Sequence, residues 1–135
     1  MEVWKIREGL YQSSKIDDPK LFESFEFNAV IDLEGGFDEI EKKDLIYLYF
    51  HFYDAPYLPS IKKLRVVSNF GFCLWRSGAR VLVHCSQGRN RSSLVNGVIL
   101  NLLGFPGGEA ADIITRARPG ALSNPMFRIY VNSLR

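Results

Sequence analysis

The sequence predicts one α/β domain, a mostly parallel sheet flanked by helices, and three observations point there. Short runs rich in branched and aromatic residues alternate with longer stretches whose apolar residues recur at helical spacing. A polar, glycine-containing loop sits between the end of one such run and the start of a helical stretch, the arrangement that places binding sites at the C-terminal edge of a parallel sheet. No repeat, low-complexity tract or Pro/Gly/Ser-rich linker interrupts the 135 residues, so residues 1–135 are read as a single unit.

Val3 to Ile6 and Gly9 to Tyr11 read as short strands. Asp18 and Pro19 supply an N-cap and a first helical residue for a helix carrying Leu21, Phe22 and Phe25. Ala29 to Leu33 is the next apolar strand. A break at Gly35-Gly36 and a short helix are expected before Leu45 to Tyr53, whose aromatic and branched residues predict a buried strand. Ser60 caps a long helix with Ile61, Leu64, Val67, Phe70 or Gly71, and Leu74 at helical spacing up to Gly78. The strand Arg80 to Val83 then runs into His84-Cys85-Ser86-Gln87-Gly88-Arg89-Asn90-Arg91-Ser92. Leu94, Val95, Val98, Ile99 and Leu102 mark the helix after it, closed by Gly104. Gly108 to Arg118 forms a helix stopped by Pro119, and Asn124-Pro125 opens a last one running through Leu134.

At 47% hydrophobic and 24% charged, the chain has the composition of an ordinary globular domain. No apolar run approaches the roughly 18 to 20 residues of a membrane-spanning helix, and Met1-Glu2-Val3-Trp4-Lys5 lacks the features of a signal peptide. A soluble cytoplasmic protein without a membrane partner is therefore expected. Two cysteines, Cys73 and Cys85, are too few for a disulfide framework and suit a reducing compartment. The net charge of +2 excludes the broad basic footprint of a nucleic-acid binder, so anion recognition must be local. With two histidines, one of them in the loop, no zinc set can be assembled, and no metal or organic cofactor is expected.

The chemistry lies in the loop from Cys85 to Arg91. Between a strand end and a helix start, successive N–H groups form an inward-facing nest, and the helix adds its unpaired donors and positive dipole end. Gly88 gives the backbone freedom to turn. A thiol in that field is held as the thiolate that attacks phosphorus. Arg91 opens the helix six positions on, where its guanidinium can fold back and grip two phosphate oxygens, a bidentate contact lysine makes less well. Ser92 can donate a hydroxyl to the cysteine sulfur and stabilise it as a leaving group. His84 has the task of fixing the loop. Gly88 is the loop's one glycine and no lysine follows, so the nucleotide-binding glycine-lysine loop is not matched.

His84-Cys85, five residues, then Arg91-Ser92 is similar to the signature of the protein tyrosine phosphatase superfamily, and the chain resembles its compact dual-specificity phosphatases most closely. Glu8-Gly9-Leu10-Tyr11, the segment Leu21 to Leu33, and Arg118-Pro119 followed by Asn124 and Phe127 carry the resemblance along nearly the whole chain. It implies a cysteine-dependent protein phosphatase working through a phosphocysteine intermediate, with phosphotyrosine and phosphoserine/threonine proteins as partners. It implies Cys85 as nucleophile, Ser86, Gln87, Gly88, Arg89, Asn90 and Arg91 as the phosphate cradle, Ser92 as sulfur donor and Asp54 as general acid. Low-molecular-weight tyrosine phosphatases and arsenate reductases place this motif near the N-terminus, whereas here 84 residues precede Cys85 and the acid lies 31 positions upstream, 85 minus 54.

Alternatives stay open at several positions. Arg89 adds a loop charge that suits polyanions, as in phosphoinositide phosphatases, and Gly88-Arg89-Asn90-Arg91 resembles RNA 5′-triphosphatases, which would make a 5′-triphosphorylated RNA the one nucleic-acid partner. A phosphate-binding pseudophosphatase is the non-enzyme alternative. Asp54 is either the acid or a cap on the turn before Ala55-Pro56, and Asp32 reads as a turn or cap residue. Cys73 is either a partner for Cys85 or a buried apolar residue. Arg116 and Arg118 either reach the phosphate edge or complement their helix C-terminus. His51 reads as a satisfied core residue. The sequence leaves the oligomeric state open.

Overall fold

The computed structural model describes residues 1–35 and 40–135. Among them run β1 (Val3–Arg7), β2 (Leu10–Ser13), α1 (Pro19–Ser24), β3 (Ala29–Asp32), β4 (Ile46–Tyr49), α2 (Ile61–Arg76), β5 (Val81–His84), α3 (Arg91–Leu103), α4 (Gly107–Ala117) and α5 (Pro125–Ser133). The caps read from the sequence do the work expected of them. Asp18 accepts from the Leu21 amide, Ser60 from Lys63, and Asn124 from Met126 and Phe127. The short helix expected after Gly35-Gly36 falls partly on residues 36–39, outside the described residues, and residues 40–44 form no helix.

The strands make one five-stranded sheet in the order β1-β2-β5-β3-β4. Only the β1–β2 hairpin is antiparallel; β2–β5, β5–β3 and β3–β4 are parallel. The register lines up Ser13, His84, Asp32 and Tyr49 at the C-terminal edge of the four parallel strands. Every loop leaving that edge therefore starts near the same point.

Strand alternation feeds two cores. Val81, Val83, Ala29 and Ile31 face the larger one with α2 to α5, while Leu82, Val30 and Tyr11 turn to the other face under Phe22 and Phe27. With both faces covered, β5 and β3 are buried throughout. The helix α3 is buried from Ser92 to Leu100, apolar on nearly every side because α2, α4 and α5 all pack on it. Gly97 permits the approach of α5: a Cβ there would stand 2.8 Å from a Val131 methyl.

One expectation is corrected. The run Leu45 to Tyr53 is not a buried strand. Pairing covers only Ile46–Tyr49, which forms the sheet's edge, with Ile46 and Tyr49 exposed. Aromatic content marked a pleated segment but could not say whether a neighbour would cover it.

Candidate active site

At the end of β5, the fully buried His84 faces the fully buried Asp32 across the β3–β5 register, Nε2 to Oδ1 3.3 Å. Asp32 also accepts from the Glu34 amide at 2.9 Å and from the Tyr47 hydroxyl at 2.6 Å. Asp32 is thus the turn residue expected and, beyond that, the anchor of the histidine that precedes Cys85. Its carboxylate lies under the loop rather than in the cavity.

Cys85 is 2% exposed and its sulfur is hydrogen-bonded to the Ser92 hydroxyl at 3.4 Å. Once the thiol has ionised, the hydroxyl is the donor. Cys85, Ser86, Gln87, Arg89, Asn90 and Arg91 line a cavity of about 160 Å³, and Asp54 closes the same cavity from the segment after β4. Arg91 Nη1 donates to the carbonyls of Leu33 and Phe52, both at 3.3 Å, which fixes the guanidinium from behind. The remaining N–H groups of its fork are those a phosphate can use.

Loop geometry follows from where its carbonyls go. Ser86 accepts from the Lys15 amide at 3.1 Å, and Gln87 from Arg118 Nη2 at 3.2 Å. The carbonyl of Gly88 accepts from Gln12 Nε2 at 3.0 Å and Arg118 Nε at 3.2 Å, and that of Arg89 from Ser93 Oγ at 2.7 Å and the Leu122 amide at 3.1 Å. Four consecutive carbonyls are thus bonded outside the loop, the arrangement an anion nest requires if its amides are to be offered to a ligand. Gly88 is required at its place, since φ is +62° and a Cβ would stand 2.8 Å from the Ser13 carbonyl carbon.

Asp54 is exposed, yet both its oxygens are held: Oδ2 accepts from Asn90 Nδ2 at 2.9 Å and Oδ1 from Asn124 Nδ2 at 2.7 Å. Its side chain is turned to the loop, where a leaving group would sit, and not to its own turn. Arg118 reaches the loop from outside while its guanidinium lies 4.4 Å from the Trp4 ring centroid. It braces the cradle and does not line the cavity; Arg116 is exposed on α4.

Among the described residues, sequence reasoning passed over Gln12, Ser93 and Asn96, and gave Asn124 no part in the site beyond capping a helix and belonging to the resembling C-terminal segment. Gln12 is fully buried in β2, donating to Ser93 Oγ at 2.9 Å and accepting from Asn96 Nδ2 at 3.0 Å. A glutamine following Leu10 and Tyr11 within a short strand is the signal that marked it, because a buried amide must find partners. Two readings of bystanders are corrected. Cys73 is exposed on α2 and both cysteines are free, so Cys73 is neither core nor paired. His51 is half-buried between Tyr49 and Tyr53, with ring centroids at 6.4 and 4.6 Å, because the segment after the edge strand lies at the surface.

No family model matches the chain. Over 87 residues, 64% of the chain, it is 32% identical to human dual specificity protein phosphatase 15, and over 127 residues, 92% of the chain, it is 28% identical to the mouse protein of that name. The crystal structure of DUSP15 superposes with a TM-score of 0.83 at 25% identity, covering 96% of this chain and 85% of that one. The domain has the fold of the dual-specificity phosphatase structure it superposes on. The chain spans 30% of the human and 54% of the mouse relative's length. The cavity described above is walled by the strand-to-helix loop carrying Cys85 and Arg91 and by the facing segment carrying Asp54. No described helix is long and apolar enough to cross a membrane, and no described group of histidine, cysteine and carboxylate side chains could hold a metal ion.

Proposed function

We propose that the protein is a cysteine-dependent phosphatase that hydrolyses phosphotyrosine and phosphoserine/threonine of proteins through a phosphocysteine intermediate. The observation that carries this reading is the convergence of Cys85, Arg91 and Asp54 on one cavity. The Cys85 thiolate attacks phosphorus, the sulfur–phosphorus bond forms, and the ester bond breaks as Asp54 gives its proton to the departing oxygen. Arg91 and the loop amides hold the three equatorial oxygens, whose charge they match in the transition state. Water then attacks the phosphocysteine, Asp54 takes its proton, and phosphate leaves as the sulfur returns to the thiolate. The Ser92 hydroxyl, 3.4 Å away, stabilises that sulfur.

A cavity of about 160 Å³ with an exposed mouth suits more than one phosphorylated side chain. A second reading, a polyanionic substrate such as a phosphoinositide or a 5′-triphosphorylated RNA, draws on Arg89, which is exposed where it lines the cavity. A thiolate nucleophile must stay reduced, and we place the enzyme in the cytoplasm. Initial rates of phosphate release on phosphotyrosine and phosphothreonine peptides, phosphoinositides and 5′-triphosphorylated RNA test these readings together. Fastest turnover of the peptides supports the first; preference for either polyanion overturns it, and binding without turnover on any substrate indicates a pseudophosphatase.

A further inference from the structure

Asn90 stands at the N-cap of α3, where an asparagine ordinarily turns its side-chain oxygen back onto the first helical amides. Here its side chain makes no capping bond. The carboxamide is 7% exposed as a residue and points the other way: Nδ2 donates to Asp54 Oδ2 at 2.9 Å, while Oδ1 accepts from the Asn124 amide at 3.0 Å and from Ser123 Oγ at 3.3 Å. Asn124, itself buried at the start of α5, donates from Nδ2 to Asp54 Oδ1 at 2.7 Å and to the Ala55 carbonyl at 2.9 Å. Its own Oδ1 caps α5.

From this arrangement we infer that Asn90 is a positioning residue for the acid. Together with Asn124 it holds Asp54 over the cavity, and it supplies the tie that locks the segment after β4 to the phosphate loop. Three chain segments far apart in sequence meet at one carboxylate, and each of its oxygens takes one fixed amide donor. Each oxygen keeps a further lone pair, so a proton can be carried and delivered without the ties being broken. The exposed side chain of Asp54 would otherwise sample many rotamers, and proton transfer depends on its standing within hydrogen-bond reach of the leaving oxygen. Asn90 thus works through the geometry of Asp54 and not through contact with the phosphate. The inference rests on the reading of Asp54 as the acid.

Asn90→Ser tests it, because serine keeps a good N-cap for α3 yet is too short to reach Asp54. Single-turnover rates are measured on phenyl phosphate and on 4-nitrophenyl phosphate, alongside Asp54→Asn and the double variant, with inhibition by tungstate as the measure of anion binding. Asn90→Ser is expected to slow phenyl phosphate about tenfold, since small displacements of a catalytic group are costly. The activated ester, which needs little protonation, should stay within roughly twofold. Tungstate inhibition should be unchanged, and the double variant should be no slower on phenyl phosphate than Asp54→Asn. Equal losses on both esters with weaker tungstate inhibition would make Asn90 a phosphate ligand and overturn the proposal, as would no loss on either ester or additive losses in the double variant. If Asp54→Asn itself shows no dependence on the leaving group, the acid assignment fails and takes this inference with it. Should Asn90→Ser fold poorly, Asn90→Gly also keeps an accepted N-cap residue while removing the amide and adding no charge; it must slow phenyl phosphate selectively, and failure to do so overturns the inference equally.

Discussion

Replacing Gly88 by alanine puts the loop geometry to a quantitative test. The residue has φ at +62°, a conformation that costs an L-residue about 1–2 kcal/mol. The new Cβ would also stand 2.6 Å from Trp4 Cζ3 and 2.8 and 2.9 Å from the carbonyl carbon and oxygen of Ser13. Trp4 is half-buried near the sheet edge and can yield. Ser13 cannot, because it is fully buried, is paired with His84, and accepts from the Cys85 amide. Reaching an ordinary contact of 3.4 Å from 2.8 Å moves the loop by about 0.6 Å. Overpacking of that kind costs roughly 1–3 kcal/mol, so the total loss of stability should be about 2–5 kcal/mol. The same shift loosens the Gly88 carbonyl from Gln12 and Arg118 and turns neighbouring amides off the phosphate, which should lower kcat/KM by about 10- to 100-fold. Urea unfolding followed by tryptophan fluorescence gives the first quantity and phosphate release the second. A stability change below about 0.5 kcal/mol together with kcat/KM within about twofold of the parent would refute the account of the cradle.

Other outcomes follow from the same geometry. Cys85→Ser should abolish turnover while still binding tungstate or a phosphopeptide in a titration, because the cradle and Arg91 remain and a hydroxyl is a far weaker nucleophile; turnover near the parent's would remove Cys85 from its role. Asp54→Asn should slow phenyl phosphate by ~10² to 10⁴-fold and an activated aryl phosphate much less in single-turnover measurements. Equal losses would return Asp54 to the turn. Iodoacetate should alkylate both thiols with phosphate shielding Cys85 alone, since Cys73 is exposed on α2; peptide mass analysis reads this, and shielding of Cys73 or of neither would contradict the site. Arg118→Met should cost about 1–3 kcal/mol in urea unfolding and raise KM for a phosphopeptide, because two loop carbonyls lose a donor and Trp4 loses the guanidinium over its ring. An unchanged KM and midpoint would mean that the Gln12 contact suffices.

How much of this was legible beforehand depends on whether the signal is local. Asp18, Ser60 and Asn124 cap helices where their residue types and the following prolines or apolar periods place them, because capping is decided within one turn of chain. The loop from His84 to Ser92 was legible for the same reason: a thiol, a glycine and an arginine at a strand-to-helix junction define a nest within a single short segment. By itself the sequence thus determined the parallel α/β plan and named the candidate nucleophile, phosphate clamp and acid. Only the tertiary structure decided what covers each strand and which polar groups meet. Nothing within Leu45 to Tyr53 reveals that no strand among the described residues lies beyond β4, and nothing near Asn90 reveals that Asp54, 36 residues earlier, takes its amide. Likewise Gln12, Arg118 and Asp32 serve the loop through partners far away in the chain, brought to one edge by the β2-β5-β3 order. Hydrogen bonds and burial depend on what folding places opposite a side chain, a nonlocal fact that a pattern of residue types along the chain does not encode.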